Sequence, residues 1–281
     1  MRLVLAALVL CTASPALAQR APGSGPGQAV EAPLDRVLGA TVAADGRVDY
    51  AAVQRSHRAD LDAALAAVAA TDPASLGSDA ARLAFALNAY NAHVIDQIAS
   101  GRVRSLSSER ARDALYTRGL DIAGTTLSLN ALEHGVLRRQ DTVDGTRLPA
   151  AARALRPSAV DYRIHVGLNC GAVGCPRLRP RAFRAATVDA ELDRAFAEFA
   201  NANSHVAALR SGGLRLSSLL DWFGADFERG GVALGDRLLA SMARSRPGYA
   251  ELRQRLAGKT AAELRRARDV RFVYDWSINR R

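Results

Sequence analysis

Residues Asp161–Pro176 read DYRIHVGLNCGAVGCP, and the rest of the chain is organised around them. Nowhere else do His, Arg, Asn and two Cys crowd together. From Tyr162 to Leu168 the residues alternate. Tyr162, Ile164, Val166 and Leu168 form one set; Arg163, His165, Gly167 and Asn169 form the other. That period predicts a short strand with one apolar face on a core. Its polar face would deliver a guanidinium and an imidazole to the glycine-rich loop that holds Cys170.

Three chemistries fit this loop. In the first, Cys170 is a nucleophile. A thiol attacks as the thiolate, so it needs a cation or a base beside it. Arg163 or His165 supplies one, with His165 also able to carry the proton. Asn169 and the loop amides then stabilise an oxyanion. In the second, Cys170 and Cys175 form a disulfide. The closed loop is short, so its entropic gain is small and strain would leave it reducible. In the third, His165, Cys170, Cys175 and His134 hold a metal, but this cysteine spacing is not that of a zinc knuckle. No metal and no cofactor is expected. The chain also lacks a nucleophile-elbow serine motif, a P-loop, a dinucleotide fingerprint and a helical zinc-protease motif.

Working outward, the 281 residues suit one large domain or two small ones, and 49% are apolar, enough for a sizeable core. The net charge of +10 does not indicate nucleic acid. The cations are nearly all Arg, with Lys259 the sole Lys, and no dense basic run is interleaved with aromatics. The first eighteen residues read as a signal peptide: Arg2, then the apolar run Leu3–Cys11, then Ala16-Leu17-Ala18 as the cleavage site. Leu10 before Cys11 argues against a lipoprotein box. The mature chain would begin at Gln19, carry no transmembrane segment, and work in the periplasm or outside the cell. Only Cys170 and Cys175 would remain, in an oxidising compartment.

Residues 19–33 are expected to be a flexible Pro/Gly leader. A domain from Leu34 onward follows, α+β, mostly helical, with a small and largely antiparallel sheet. Ser78 or Asp79 caps a helix that stops at Gly101, with Leu83, Leu87, Val94 and Ile98 on one stripe. Asn91 falls inside that stripe and Asn88 at its edge. A buried carboxamide without partners costs about 1–3 kcal/mol, so Asn91 anchors an internal network. His93, on the far face, is expected in solvent. Asn130-Ala131-Leu132-Glu133 has capping-box spacing, so Glu133 is expected either to bond the Asn130 backbone or to serve a site with His134. Residues 206–216 form a hairpin, and Val270–Trp276 a closing strand.

Five landmarks in order resemble those of the domain-of-unknown-function 547 (DUF547) family. Leu83–Ala92 (LAFALNAYNA) is similar to the family's AFWINLYNA helix, and Leu127–Gly135 (LSLNALEHG) to its LSLDDIEHG. Arg163–Pro176 resembles RIHFALNCGSxSCP, Asp221–Phe227 resembles KWYGEDF, and Tyr274–Asn279 resembles YDWSLN. Ala86 and Gly167 stand where the family usually has larger residues. The resemblance implies that Asn88, Asn91, Glu133, His134, Arg163, His165, Cys170 and Cys175 are recurring polar positions of one pocket. It implies no settled activity. An Asn-bearing helix, a His-bearing strand and a Cys loop are similar, at fold level only, to papain- and transglutaminase-like thiol enzymes.

The functional expectation is therefore a thiol-dependent hydrolase or acyl/amide transferase acting on a small-molecule or peptide substrate. Cys170 is its nucleophile, His165 or His134 its base and Glu133 the orienting carboxylate. Arg163 binds an anionic group, and Asn88, Asn91 and Asn169 contact substrate. The competing expectation is a non-catalytic binding or assembly module with a structural or redox-active Cys170–Cys175 disulfide.

Overall fold

The computed structural model describes residues 27–210 and 212–281. The expected signal peptide, its cleavage site and the first part of the expected leader lie outside the described residues. Helix α1 (Gln28–Thr41) starts inside the segment expected to be leader, and Val30 and Pro33 on it are buried, so the leader is shorter than expected. After a turn at Gly46, α2 (Tyr50–Ser56) is capped by the Asp49 carboxylate, and α3 (Arg58–Ala70) packs on α1.

Helix α4 (Asp79–Ala99) is the axis of the molecule. The Ser78 hydroxyl accepts from the Ala81 N–H at 3.1 Å, and Gly101 ends the helix with φ +75°. That angle favours glycine. The sequence shows one apolar stripe, but every residue from Leu83 to Ile98 is buried, because other elements cover the helix all round. His93 is therefore buried, not solvated as expected. Burial pushes its pKa down to about 4, so it sits neutral in the core.

Helix α5 (Glu109–Tyr116), in a stretch too polar to show a pattern, is capped by Ser108. A hairpin of β1 (Leu120–Ile122) and β2 (Thr125–Leu127) leads into a π-helical turn over Ala131–Leu137. A second hairpin, β3 (Thr142–Val143) with β4 (Thr146–Arg147), and α6 (Ala150–Ala154) follow. The strand expected at Tyr162–Leu168 is not there. Ile164–Gly167 is one turn of helix, α7. Helix α8 (Val188–Asn201) packs against it.

The C-terminal part builds the one three-stranded sheet. Strand β5 (Val206–Ala208) pairs antiparallel with β6 (Leu214–Ser217). Four helices come next: α9 (Leu219–Trp222), α10 (Gly224–Phe227), α11 (Leu234–Ser241) and α12 (Tyr249–Leu256). Helix α13 (Ala261–Arg266) carries a capping box between Thr260 and Glu263. Strand β7 (Val270–Val273) then pairs parallel with β6. The fold is α+β and mostly helical with small sheets, as expected, apart from this one parallel pair. Among the described residues no helix is long and apolar enough to cross a membrane.

Two apolar cores meet at α7. Ile164 and Leu168 belong to the core built on α1–α4, and Val166 to the core shared by α8 and the C-terminal helices. Helix α8 spans the same divide, with Leu192 in the first core and Phe196 in the second. The candidate site lies along this seam.

Candidate functional site

The asparagines of α4 are joined to backbone. The Asn88 amide donates to Phe183 O and its carbonyl accepts from Phe183 N–H, both at 2.8 Å. The Asn91 amide donates to Gly167 O at 3.0 Å and its carbonyl accepts from Asn169 N–H at 2.9 Å. Asn169 repeats the device. It donates to Pro176 O at 2.8 Å and accepts from Gly171 N–H at 2.9 Å. Each carboxamide replaces the partners that an irregular buried backbone lacks. The result is a polar spine from α4 through the cysteine loop. Asn91 and Asn169 hold the cysteine loop and Asn88 ties α4 to the Phe183 backbone; none of the three, expected to contact substrate, lines the cavity described below.

The loop turns at Gly171, where φ is +82° and an added Cβ would lie 2.3 Å from Ile98 Cδ1. Only glycine meets both demands. The C-terminal segment closes over the loop: Ser277 O accepts from Val173 N–H at 2.7 Å, and Asp275 O from Gly174 N–H at 2.8 Å. Cys170 and Cys175 are free thiols, so no disulfide is formed among the described residues. Their sulfurs are 2.7 Å apart, and the Tyr274 hydroxyl reaches Cys170 Sγ at 3.2 Å and Cys175 Sγ at 3.1 Å. The Cys170 N–H donates to Cys175 Sγ at 3.1 Å. The Cys175 thiol stabilises the Cys170 thiolate, burial opposes this, and Tyr274 and Tyr116 assist; the Cys170 pKa comes down to about 7. Burial, and then the neighbouring Cys170, push Cys175 up. One sulfur is thus poised to ionise while the other keeps its proton.

The π-helical turn brings Glu133 and His134 to the same cavity. Ser128, not Asn130, caps this segment: its hydroxyl accepts from Ala131 N–H at 3.0 Å, while Asn130 already has helical angles and bonds Asp144. Glu133 is therefore inside the turn, not at its capping position, and the expected bond to the Asn130 backbone is not made. The wide turn is marked by Arg138 N–H reaching Glu133 O at 2.8 Å. Such turns rotate less per residue, so adjacent side chains diverge less, and they are frequent at functional sites. Burial pushes Glu133 up, against the pull of His134 and Arg138.

His165 is held at one nitrogen only. Its Nε2 lies 3.0 Å from Asp226 Oδ2 and its ring stacks on Phe223 at 3.8 Å. Nδ1 has no hydrogen-bond partner among the described residues, and Glu133 Oε1 is 3.9 Å away. Burial lowers the His165 pKa in spite of Asp226, so the ring is neutral. Burial would raise Asp226, but bonds from His165 and from Arg138 Nε at 2.5 Å outweigh it and hold the carboxyl below its usual range. His134 Nδ1 meets Arg138 Nη1 at 3.0 Å, and burial lowers its pKa too.

Cys170, Cys175, Glu133, His134 and His165 line one cavity of about 310 Å³. Its other walls are aromatic: Tyr90, Tyr116, Trp222, Phe223, Tyr274 and Trp276. Neither histidine is among the hydrogen-bond partners of the Cys170 sulfur, which are Cys175 and Tyr274. Arg163, expected to bind an anion, is turned away and paired with Asp161, Asp189 and Asp193 at 2.5–2.6 Å. No group of three or more His, Cys, Asp or Glu among the described residues is placed to hold a metal. Asp226 and the aromatic walls escaped the sequence reading. Asp226 lies in the Asp221–Phe227 landmark and Tyr274 and Trp276 in the closing one, so motif position was the available signal.

No curated protein and no solved structure matches the chain. Residues 74–200 match the family model described as "Protein of unknown function, DUF547". That span holds α4, the π-helical turn, α7 and the cysteine loop, whereas Trp222, Phe223, Asp226, Tyr274 and Trp276 lie beyond it. Over residues 74–200, then, the chain resembles the DUF547 family, and the remaining walls of the cavity come from outside the matched span.

Proposed function

We propose that the chain is an exported thiol-dependent hydrolase or acyl transferase. One observation carries this reading. A sulfur ready to ionise shares one cavity with an imidazole whose pKa burial lowers, one nitrogen of which is anchored by a carboxylate while the other has no partner among the described residues. Such an imidazole has the orientation a general base requires. The Cys170 proton passes to His165 Nδ1 as Sγ bonds the substrate carbonyl carbon. His165 returns that proton to the leaving oxygen or nitrogen as its bond to the carbonyl breaks. Water, or an acceptor alcohol or amine, then attacks the thioester, loses a proton to His165, and restores the thiol. Asp226 orients the imidazole and stabilises its charged form. Apo distances tighten when substrate binds, so the gap between thiol and imidazole is compatible with the role.

The test is acylation by p-nitrophenyl acetate. The expected result is an acetyl group on the Cys170 peptide, absent in Cys170→Ser and slowed in His165→Gln. Acylation elsewhere, or none, overturns the reading. Export is checked by the N-terminal sequence of the periplasmic protein, expected to start at Gln19.

The contact between the two sulfurs favours a second reading, a redox-active dithiol. The Cys170 thiolate attacks an incoming disulfide and releases one thiol. Cys175 then resolves the mixed disulfide and releases the other, leaving Cys170–Cys175 oxidised and the incoming disulfide reduced by two electrons. Thiol titration of protein purified without reductant separates the readings. Two titratable thiols favour acyl transfer; none until reduction favours the dithiol.

A further inference from the structure

The cavity has a consistent electrical character. The cations near it are each engaged by other groups of the chain. Arg163 serves three aspartates. Arg138 is held by Asp226 and His134 against the Phe223 ring, its carbon 5.0 Å from the ring centre. Arg112 covers one face of Trp276 at 4.5 Å. Asp226, the nearest strong anion, is shared by His165, Arg138 and Arg229. Burial favours the uncharged forms of Glu133, His134 and His165 on the walls. The thiol of Cys170 is the exception, and it is the attacking group itself.

The mouth is aromatic. Trp222 is 47% exposed, the most open of the large apolar side chains. Its ring lies 4.9 Å from that of Tyr274 and 5.7 Å from that of Trp276, and Tyr274 and Trp276 are 4.5 Å apart. Phe223 backs the inner wall on His165. Bringing a carboxylate against these ring faces, whose quadrupole is negative, costs several kcal/mol of lost hydration, whereas an apolar face gains contact area. A volume of about 310 Å³ admits a group of roughly ten non-hydrogen atoms, at about 30 Å³ for each water-sized unit.

We propose that the cavity receives an uncharged, flat or aliphatic acyl group of about this size, stacked against Trp222 and Tyr274, and that it excludes carboxylates. The acyl character rests on the reading of Cys170 as nucleophile; the selection against carboxylates rests on the walls alone. The anionic substrate group assigned to Arg163 from the sequence is replaced by a neutral one.

Two probes of one shape test this: benzamide and benzoate, which are neutral and anionic at neutral pH. Trp222 and Trp276 are the only tryptophans in the chain, so their fluorescence reports the mouth directly. The full chain is used as Cys170→Ser, which removes the thiolate. Benzamide is expected to bind saturably and at least tenfold more tightly than benzoate. Its binding should weaken in Trp222→Ala, a variant that alters an exposed side chain. Equal or tighter binding of benzoate, no saturable binding of benzamide, or indifference to Trp222→Ala overturns the proposal. Loss of Cys170 acylation with the benzamide preference intact would instead remove the nucleophile reading and leave the neutral cavity standing.

Discussion

Asn91 on α4 and His165 on α7 are 4% and 3% exposed, yet they are treated oppositely by the fold. Asn91 has both ends of its carboxamide bonded to backbone, and Asn88 and Asn169 share that arrangement. His165 has one nitrogen fixed and the other without a partner, beside a Glu133 that burial drives towards its neutral form. A buried polar group without a partner costs about 1–3 kcal/mol, and other buried atoms such as His93 Nε2 lack one too among the described residues; the open nitrogen of His165 differs in lining the cavity beside Cys170. Buried polarity on its own does not mark a site. The bookkeeping of partners separates the residues that hold the loop from those held ready.

Substitutions should divide along the same line. Cys170→Ser is expected to lower acyl transfer by about 10³-fold or more while leaving Tm nearly unchanged. A variant that keeps activity would place the chemistry elsewhere. Asp226→Asn comes next. It leaves His165 in place without its charge partner, and a loss of about 10²–10⁴-fold in kcat is expected, by analogy with other anchored imidazoles. Circular dichroism and Tm should show the fold retained; kcat within a few-fold of the parent would contradict the base assignment.

Asn91→Ala is the mirror image. It strands Gly167 O and Asn169 N–H and is expected to cost about 3 kcal/mol, a fall in Tm of about 6–12 °C. Activity per folded molecule, measured well below that Tm, should stay within a few-fold. A stable but inactive Asn91→Ala would erase the distinction between the two regions.

The smallest effect is on acid stability and concerns histidines outside the site. Burial lowers the pKa of His93 and of His205 to about 4. The unfolded chain, with histidines near 6.5, binds more protons than the folded one between pH 4 and 6.5, so stability rises with pH across that window and is lost on acidification through it. A scan of Tm from pH 7 to 4.5 should fall, and fall less steeply in His205→Gln. Equal slopes would contradict the assignment.

The sequence showed the elements whose patterns are local. Helix α4 with its Ser78 cap and Gly101 stop, the β5–β6 hairpin and the closing strand were all legible. It failed where burial is complete. Tyr162–Leu168 alternates as a strand would, but α7 sends Ile164 into one core and Val166 into the other, and His165 and Gly167 are buried as well. With no solvent side, a period of two carries no information about strand or helix. The Glu133 capping box failed because Ser128 starts the turn earlier. Glu133, His134, His165 and Cys170 were found together through motif resemblance. Arg163 was misassigned because its three aspartate partners include two on α8, invisible in a local window. Asp226 was missed for the same reason, being 61 residues from the imidazole it anchors.

The most direct measurement is the rate of iodoacetamide labelling at Cys170 as a function of pH, read by peptide mass on the reduced full-length chain. The expected result is a midpoint near pH 7, displaced upward in Tyr274→Phe, which removes a hydrogen bond to the thiolate. A midpoint at the value of an ordinary thiol, about 8.5, or no labelling until the chain is unfolded, would contradict Cys170 as a poised nucleophile.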